Sequence, residues 1–277
     1  FGPFLFMTTA LITSAVIPWG DTITLFDRQI RLQAADINVA LLFVFGVVSI
    51  GVYGIMIGGW ASNNKYSLLG AVRASSQMIS YEVAMGLSII SLLMMTGTLS
   101  LREISVQQHG FITWDNQGNF EWLSWNIFKQ PVAFLVFLIC AFAETNRTPF
   151  DLPECEAELI GGYHTEYSSM KLGFFLFAEY INMFISSAII SVLFFGGFNY
   201  PGMNTVAELL GGNAATLLGV GALFAKTFFF IFLFMWVRWT LPRFRYDQLM
   251  YLGWRILIPI SIANIVVTGL VILLLGK

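Results

Sequence analysis

The chain has 277 residues, 57% of them hydrophobic and only 11% charged, with a mean hydropathy of +0.76. A water-soluble domain carries about a quarter charged residues, so too little polar surface is left here to coat a soluble globule. A formal net charge of −2 gives no basic footprint for nucleic acid. The two cysteines, Cys140 and Cys155, lack CxxC spacing, which argues against a disulfide framework or a zinc or iron–sulfur site built from this chain alone.

The apolar residues fall in long runs between short polar stretches. Runs of this length read as transmembrane helices, because barrel strands alternate apolar and polar at about half the length. The expected fold is therefore an all-α membrane bundle in one transmembrane domain, 1–277. In chain order its seven spans are predicted at about 4–19, 37–60, 76–97, 130–146, 171–196, 213–237 and 254–276. A hydrocarbon core needs about 20 helical residues, so the first and fourth are short. The chain opens with Phe1 rather than methionine, from which a missing N-terminal part is expected, and no basic signal-peptide region is seen at its start.

Lys and Arg in alternate connections give the orientation. Eight lie on one side (Lys65, Arg73, Arg147, Lys171, Arg238, Arg243, Arg245, Arg255) and five on the other (Arg28, Arg31, Arg102, Lys129, Lys277). This bias puts loops 61–75, 147–170 and 238–253 on the cytoplasmic or matrix side. The opposite connection, 98–129, carries Trp114, Trp122 and Trp125, which suit an interfacial aromatic belt, and His109, which reads as a solvated loop residue.

Glu82, Glu144, Glu179 and Lys226 fall inside or at the edge of apolar spans. An ionised group at a helix centre costs a few kcal/mol in lipid, so each must face protein, water or a partner. Glu82 falls near the start of the third span, Glu144 near the end of the fourth and Glu179 early in the fifth, about 12 Å in from its end. Three carboxylates at comparable depth on successive helices suit lateral proton relay. The alternative is that each pairs with a polar neighbour or with Lys226 and only fixes helix packing.

Loop 147–170 holds Arg147, Asp151, Glu154, Glu156, Glu158, His164 and Glu166. Pro149 and Pro153 end the preceding helix and allow a short new one. Asp151 and Glu154 have capping-box spacing, which by itself accounts for those two. It does not account for the whole acidic cluster at the membrane surface, with only Arg147 and Lys171 as nearby bases. Phe174, Phe175 and Phe177, near Glu179, either face an apolar ligand tail or pack against lipid and protein.

The segment AETNRTPFDLPECEAELIGGYHTEYSSMKLGFFLFAEY closely resembles the signature of the H subunit of bacterial complex I, in mitochondria NADH dehydrogenase subunit 1. The resemblance continues in GWASNNKYSLLGAVRASSQMISYE (Gly59 to Glu82) and LPRFRYDQLMYLGWR (Leu241 to Arg255), and it covers nearly the whole chain. It implies an eight-helix family whose first helix precedes this sequence. It also implies a multi-pass bacterial inner-membrane subunit that anchors the peripheral redox arm and forms much of a quinone tunnel.

On this resemblance quinone is the substrate, and NADH, FMN and iron–sulfur clusters sit on partner subunits. Small membrane subunits lead on to antiporter-like ones. Arg147, Asp151, Glu154, Glu156, Glu158 and Glu166 would belong to the acidic loop below the quinone cavity. Glu82, Glu144 and Glu179 would start a polar axis toward the pumps, and Arg238, Arg243 and Arg245 would help dock the peripheral arm. No catalytic residue is expected on this chain alone and no metal ligand. Two other functions use the same features: the homologous subunit of an ion-pumping membrane-bound hydrogenase, and a carboxylate-based ion transporter. Against the transporter, no inverted repeat is apparent.

Overall fold

The computed structural model describes residues 1–26, 28–108, 112–114, 120–122, 124–151 and 161–275, and these are mainly helical. Helix α1 (Gly2–Ser14) leads to an antiparallel hairpin, β1 (Thr22–Leu25) with β2 (Arg28–Arg31), in which Thr22 pairs with Arg31. Helices α2 (Ala40–Ala61), α3 (Lys65–Thr96) and the short α4 (Leu101–Gln107) follow. A second small hairpin, β3 (Ile112–Trp114) with β4 (Phe120–Trp122), precedes α5 (Asn126–Lys129) and α6 (Pro131–Glu144). A 3-10 turn at Gly162–His164 leads into α7 (Ser169–Phe194), α8 (Met203–Leu210) and α9 (Gly212–Thr240). The last helix is compound: α10 (Tyr246–Tyr251), a π turn (Leu252–Leu257) and α11 (Ile258–Leu275).

Among the described residues five helices have the length and apolarity to cross a membrane: Ala40–Ala61, Lys65–Thr96, Ser169–Phe194, Gly212–Thr240 and the continuous Tyr246–Leu274. Gly2–Ser14 and Pro131–Glu144 are apolar but shorter. Several helices outrun the spans that hydropathy marks. Helix α3 starts at Lys65, not near residue 76, because the Asn64 side chain caps it by accepting from the Tyr66 N–H at 3.0 Å. Its first turns carry Lys65 and Arg73, which depress hydropathy, yet Ser67, Gly70, Ala71 and Ala74 on the inner face are buried. A packed face is enough to continue a helix beyond the apolar run. Helix α1 is shorter than its span; it ends at Ser14, four residues before Pro18, which cannot supply a helical N–H.

Helix α1 packs on α2 and α7, α2 on α3, α3 on α6 and α11, and α9 on α7. The α1–α2 crossing is close because Gly2 and Gly54 present no side chain to it, while the missing side chain of Gly58 makes room for Phe175 on α7. A Cβ at Gly54 would stand 2.9 Å from the Phe6 nitrogen. Small residues at the contact let helix backbones approach inside a bilayer, where packing must replace the hydrophobic driving force. The main core runs through Tyr81, Phe137, Ala141, Leu193 and Phe230, and a second cluster holds Phe6, Ile55, Met78, Tyr163 and Phe175.

One end of the bundle is tied into a common layer. The Gln107 amide donates to Thr96 O at 3.1 Å at the end of α3, and the Asn126 amide to Leu193 O at 2.9 Å near the end of α7. The Gln108 amide donates to Val192 O and Leu193 O at 3.0 and 3.1 Å. Gln130, just before α6, reaches Met95 Sδ at 3.1 Å and Thr268 Oγ1 at 3.0 Å. The C-terminus of α3, the N-terminus of α6 and the C-terminus of α7 therefore share one level.

Candidate functional site

That shared level fixes the depth of the three membrane glutamates. Glu82 stands fourteen residues before Thr96, Glu144 thirteen beyond Pro131 and Glu179 fifteen before Phe194. At 1.5 Å per residue, each lies about 20–22 Å from the tied end. They occupy one layer across α3, α6 and α7. Measured within its own helix, Glu82 is near the middle of α3, not near its start, because α3 is longer than the predicted span.

Each carboxylate has its own surroundings. Glu82 is half-buried, and its Oε1 meets the hydroxyl of Ser49 on α2, which also contacts Phe45 O at 2.9 Å. Glu144 is the last residue of α6 and half-buried. It faces a narrow cleft of about 20 Å³ shared by Val44, Phe137, Asn182 and Ser186, room for a single water molecule. Glu82 and Glu144 are near enough for like charges on them to repel. Glu179 is the most enclosed, at 3% exposure. Its Oε1 accepts a hydrogen bond from the Tyr163 hydroxyl at 2.6 Å, and Arg147 Nη2 lies 3.7 Å from its Oε2. Glu179, Asn182 and Ser186 have i, i+3, i+7 spacing, so one face of α7 joins Glu179 to the Glu144 cleft.

Lys226 is not part of this layer. Its ammonium donates to the carbonyls of Phe195, Gly197 and Asn199 at 2.7, 2.8 and 2.6 Å and sits 5.1 Å from the Trp125 ring centre. Phe195 lies sixteen residues beyond Glu179, just past the end of the same helix, about 24 Å away. Lys226 thus satisfies carbonyls of the turn that follows α7, where a cation also suits the helix dipole. Trp125 is half-buried against Lys226 and Phe195, with ring centres 5.6 Å apart in the Phe195 pair, rather than lying free in an aromatic belt. The side chains of Trp114, Trp122 and His109 lie outside the described residues.

Around the loop the three signature segments converge. Arg147 is buried, its guanidinium 4.3 Å from the Tyr180 ring centre. Buried Asp151 meets Arg243 Nη2 at 3.5 Å, and the Phe244 N–H donates to Pro149 O at 3.1 Å. Glu166 is exposed and accepts from the Asn64 amide at 2.8 Å. From α3, the Gln77 amide donates to Ala143 O and Phe150 O at 3.0 and 2.9 Å, and the Tyr81 hydroxyl to Leu249 O at 2.9 Å. Arg238, Arg243 and Arg245 are all exposed. Glu154, Glu156, Glu158 and Cys155 lie outside the described residues. Phe175 is buried between Phe6, Tyr163 and Tyr167, whereas Phe177 is exposed. Among the described residues no group of three or more His, Cys, Asp or Glu is arranged to hold a metal.

Ser49, Gln77, Tyr163 and Asn182 carry this geometry without standing out in the sequence. Serine, glutamine and asparagine inside apolar helices are common packing residues, so spacing alone does not select them. Tyr163 offered one signal, since it sits in the acidic segment sixteen residues before Glu179.

Fold and site together define a polytopic helical membrane protein with a transverse layer of carboxylates beginning under a buried arginine. A family model described as NADH dehydrogenase matches residues 1–269. The H subunit of the NADH-quinone oxidoreductase of Flavobacterium psychrophilum is 70% identical over 99% of this chain and 76% of its own length. An H subunit of the same enzyme in Cytophaga hutchinsonii is 63% identical over 99% of the chain and 76% of its own length. The H subunit from Thermomicrobium roseum is 48% identical over 97% and 74%. The chain belongs to the NADH dehydrogenase family, on the branch formed by the H subunits of complex I.

Proposed function

We propose that this chain is the quinone-site membrane subunit of a proton-translocating NADH:quinone oxidoreductase in a bacterial cell membrane. It helps form the quinone tunnel and anchors the peripheral arm, whose subunits carry FMN and the iron–sulfur clusters. Quinone reduction above the acidic loop changes the charge at Arg147 and Asp151, and the layer of Glu179, Glu144 and Glu82 answers by moving protons laterally toward neighbouring membrane subunits. The observation that carries this reading is the common depth of the three glutamates, with Glu179 held directly by the loop. Exposed Arg238, Arg243 and Arg245, beside the loop, form a basic edge suited to the peripheral arm. The shared name of the relatives favours a quinone-reducing assembly over a hydrogenase.

The test is made in the assembled enzyme in membrane vesicles, following NADH:quinone turnover and proton translocation together. Asp151→Asn is expected to lower quinone reduction, and Glu179→Gln to lower proton translocation, each at least tenfold and without loss of assembly. Normal turnover and normal translocation in both variants would refute the reading. So would proton transport by the purified chain alone in liposomes, which is the behaviour of an autonomous transporter.

A further inference from the structure

The acidic loop enters and leaves the bundle at two residues that grip the same carboxyl group. Arg147 stands at its start, and Nη2 lies 3.7 Å from Glu179 Oε2. Tyr163 stands toward its end and donates to Glu179 Oε1 at 2.6 Å. We propose that Tyr163 is the positioning residue through which the end of the loop acts on Glu179, so that loop and carboxyl move as one latch. This rests on the role proposed above for Glu179.

Three features make the phenol more than filler. Tyr163 is 1% exposed, and its hydroxyl donates to a membrane carboxyl. The ring is fixed edge-on against Phe175, with centres 5.1 Å apart, and Phe175 lies one turn before Glu179 on α7. The turn that carries Tyr163 is itself set by α3. A Cβ at Gly70 would stand 2.9 Å from Gly162 Cα and 3.0 Å from the Tyr163 nitrogen, so only glycine lets the turn sit this deep.

The two grips differ in kind. At 2.6 Å the phenol makes a short, directional bond, whereas 3.7 Å is beyond hydrogen-bond range and leaves a looser ionic contact. Arg147 Nε and Nη2 make no hydrogen bond among the described residues. A displacement of the loop therefore changes the phenol–carboxyl bond first and most steeply. Because a hydrogen bond to one protonation state of a buried carboxyl changes its proton affinity, loop movement is converted into proton uptake or release at Glu179.

The experiment uses Tyr163→Phe, which keeps the ring and removes only the donor, in the assembled enzyme. Two readouts are followed: protons moved per NADH oxidised, and the carboxyl band in redox-induced infrared difference spectra that Glu179→Gln abolishes. Tyr163→Phe is expected to lower the proton ratio several-fold and to move that band to higher frequency. Difluorotyrosine at 163, a stronger donor, is expected to move it the other way, and it serves as the test should Tyr163→Phe fail to assemble. An unmoved band with a normal ratio overturns the proposal, because a packing role alone leaves both intact. Normal translocation in Glu179→Gln overturns the underlying reading as well. Impaired Glu179→Gln beside a wild-type Tyr163→Phe overturns this inference only.

Discussion

Lys226 separates a structural cation from a proton carrier, and Lys226→Met tests the separation. The methionine keeps most of the stem and removes the ammonium. Three carbonyls, of Phe195, Gly197 and Asn199, then lose a charge-assisted donor at 2.6–2.8 Å. A buried acceptor left unsatisfied costs about 1–3 kcal/mol, and three sharing one donor do not add fully, so the loss is about 3–6 kcal/mol. It falls at the turn after α7, where Asn199 also donates to Ser105 O and Gln108 O at 2.6 and 3.0 Å. The assay compares thermal stability of the assembled enzyme with the number of protons moved per NADH. Stability is expected to fall while surviving molecules keep the wild-type proton ratio. Unchanged stability would refute the structural assignment, and unchanged stability with a reduced proton ratio would return Lys226 to the relay.

Two further substitutions probe the loop end. Gly70→Ala places a methyl 2.9 Å from Gly162 Cα, so the 3-10 turn must retreat; a lowered proton ratio and the infrared shift expected of Tyr163→Phe follow, and an unshifted band would show that the turn adapts without moving the phenol. Gln77→Leu removes the donors to Ala143 O and Phe150 O but also the buried Oε1, which has no hydrogen-bond partner among the described residues. The losses are partly offset, leaving a net cost of about 1–3 kcal/mol, seen as faster amide exchange across 143–151 with the rest of α6 unchanged.

The membrane class and most helices were legible because a few long apolar runs dominate the sequence and the bilayer allows them little besides helix. The first turns of α3 were not, since Lys65 and Arg73 hide a helix held by small buried residues rather than by apolar ones. Glu82, Glu144 and Glu179 were legible as charges in lipid at comparable depth, although the apolar run put Glu82 near the start of its helix, where the structure has it near the middle of α3. Their common depth depends on where α3, α6 and α7 are tied together, which Gln107, Asn126 and Gln130 decide through long-range hydrogen bonds. Lys226 shows the converse limit. A charge inside an apolar span reads as functional until its partners are known, and here those partners are backbone carbonyls from a turn about thirty residues earlier. Ser49 was invisible for the same reason, as a hydroxyl gains meaning only from what it faces, and Tyr163 stood out only by its place in the acidic segment.

The two ends of the bundle are built on opposite principles, and the contrast bears on where coupling is possible. At the tied end polar side chains are densely bonded: Gln108 bonds Ile104, Val192 and Leu193, Asn199 bonds two carbonyls, and Lys226 three. Any displacement there breaks several buried bonds at once, so that end is rigid. At the loop end Ser67 Oγ, Ser75 Oγ, Gln77 Oε1, Asn146 Oδ1 and Arg147 Nε are buried without a hydrogen-bond partner among the described residues. Rearrangement beside Lys226 costs several buried hydrogen bonds at once. A carboxylate layer mounted on helices fixed at one level, with Arg147 and Tyr163 of the loop gripping Glu179, lets a local charge change at the loop alter one member of the layer while the depth of the others is preserved.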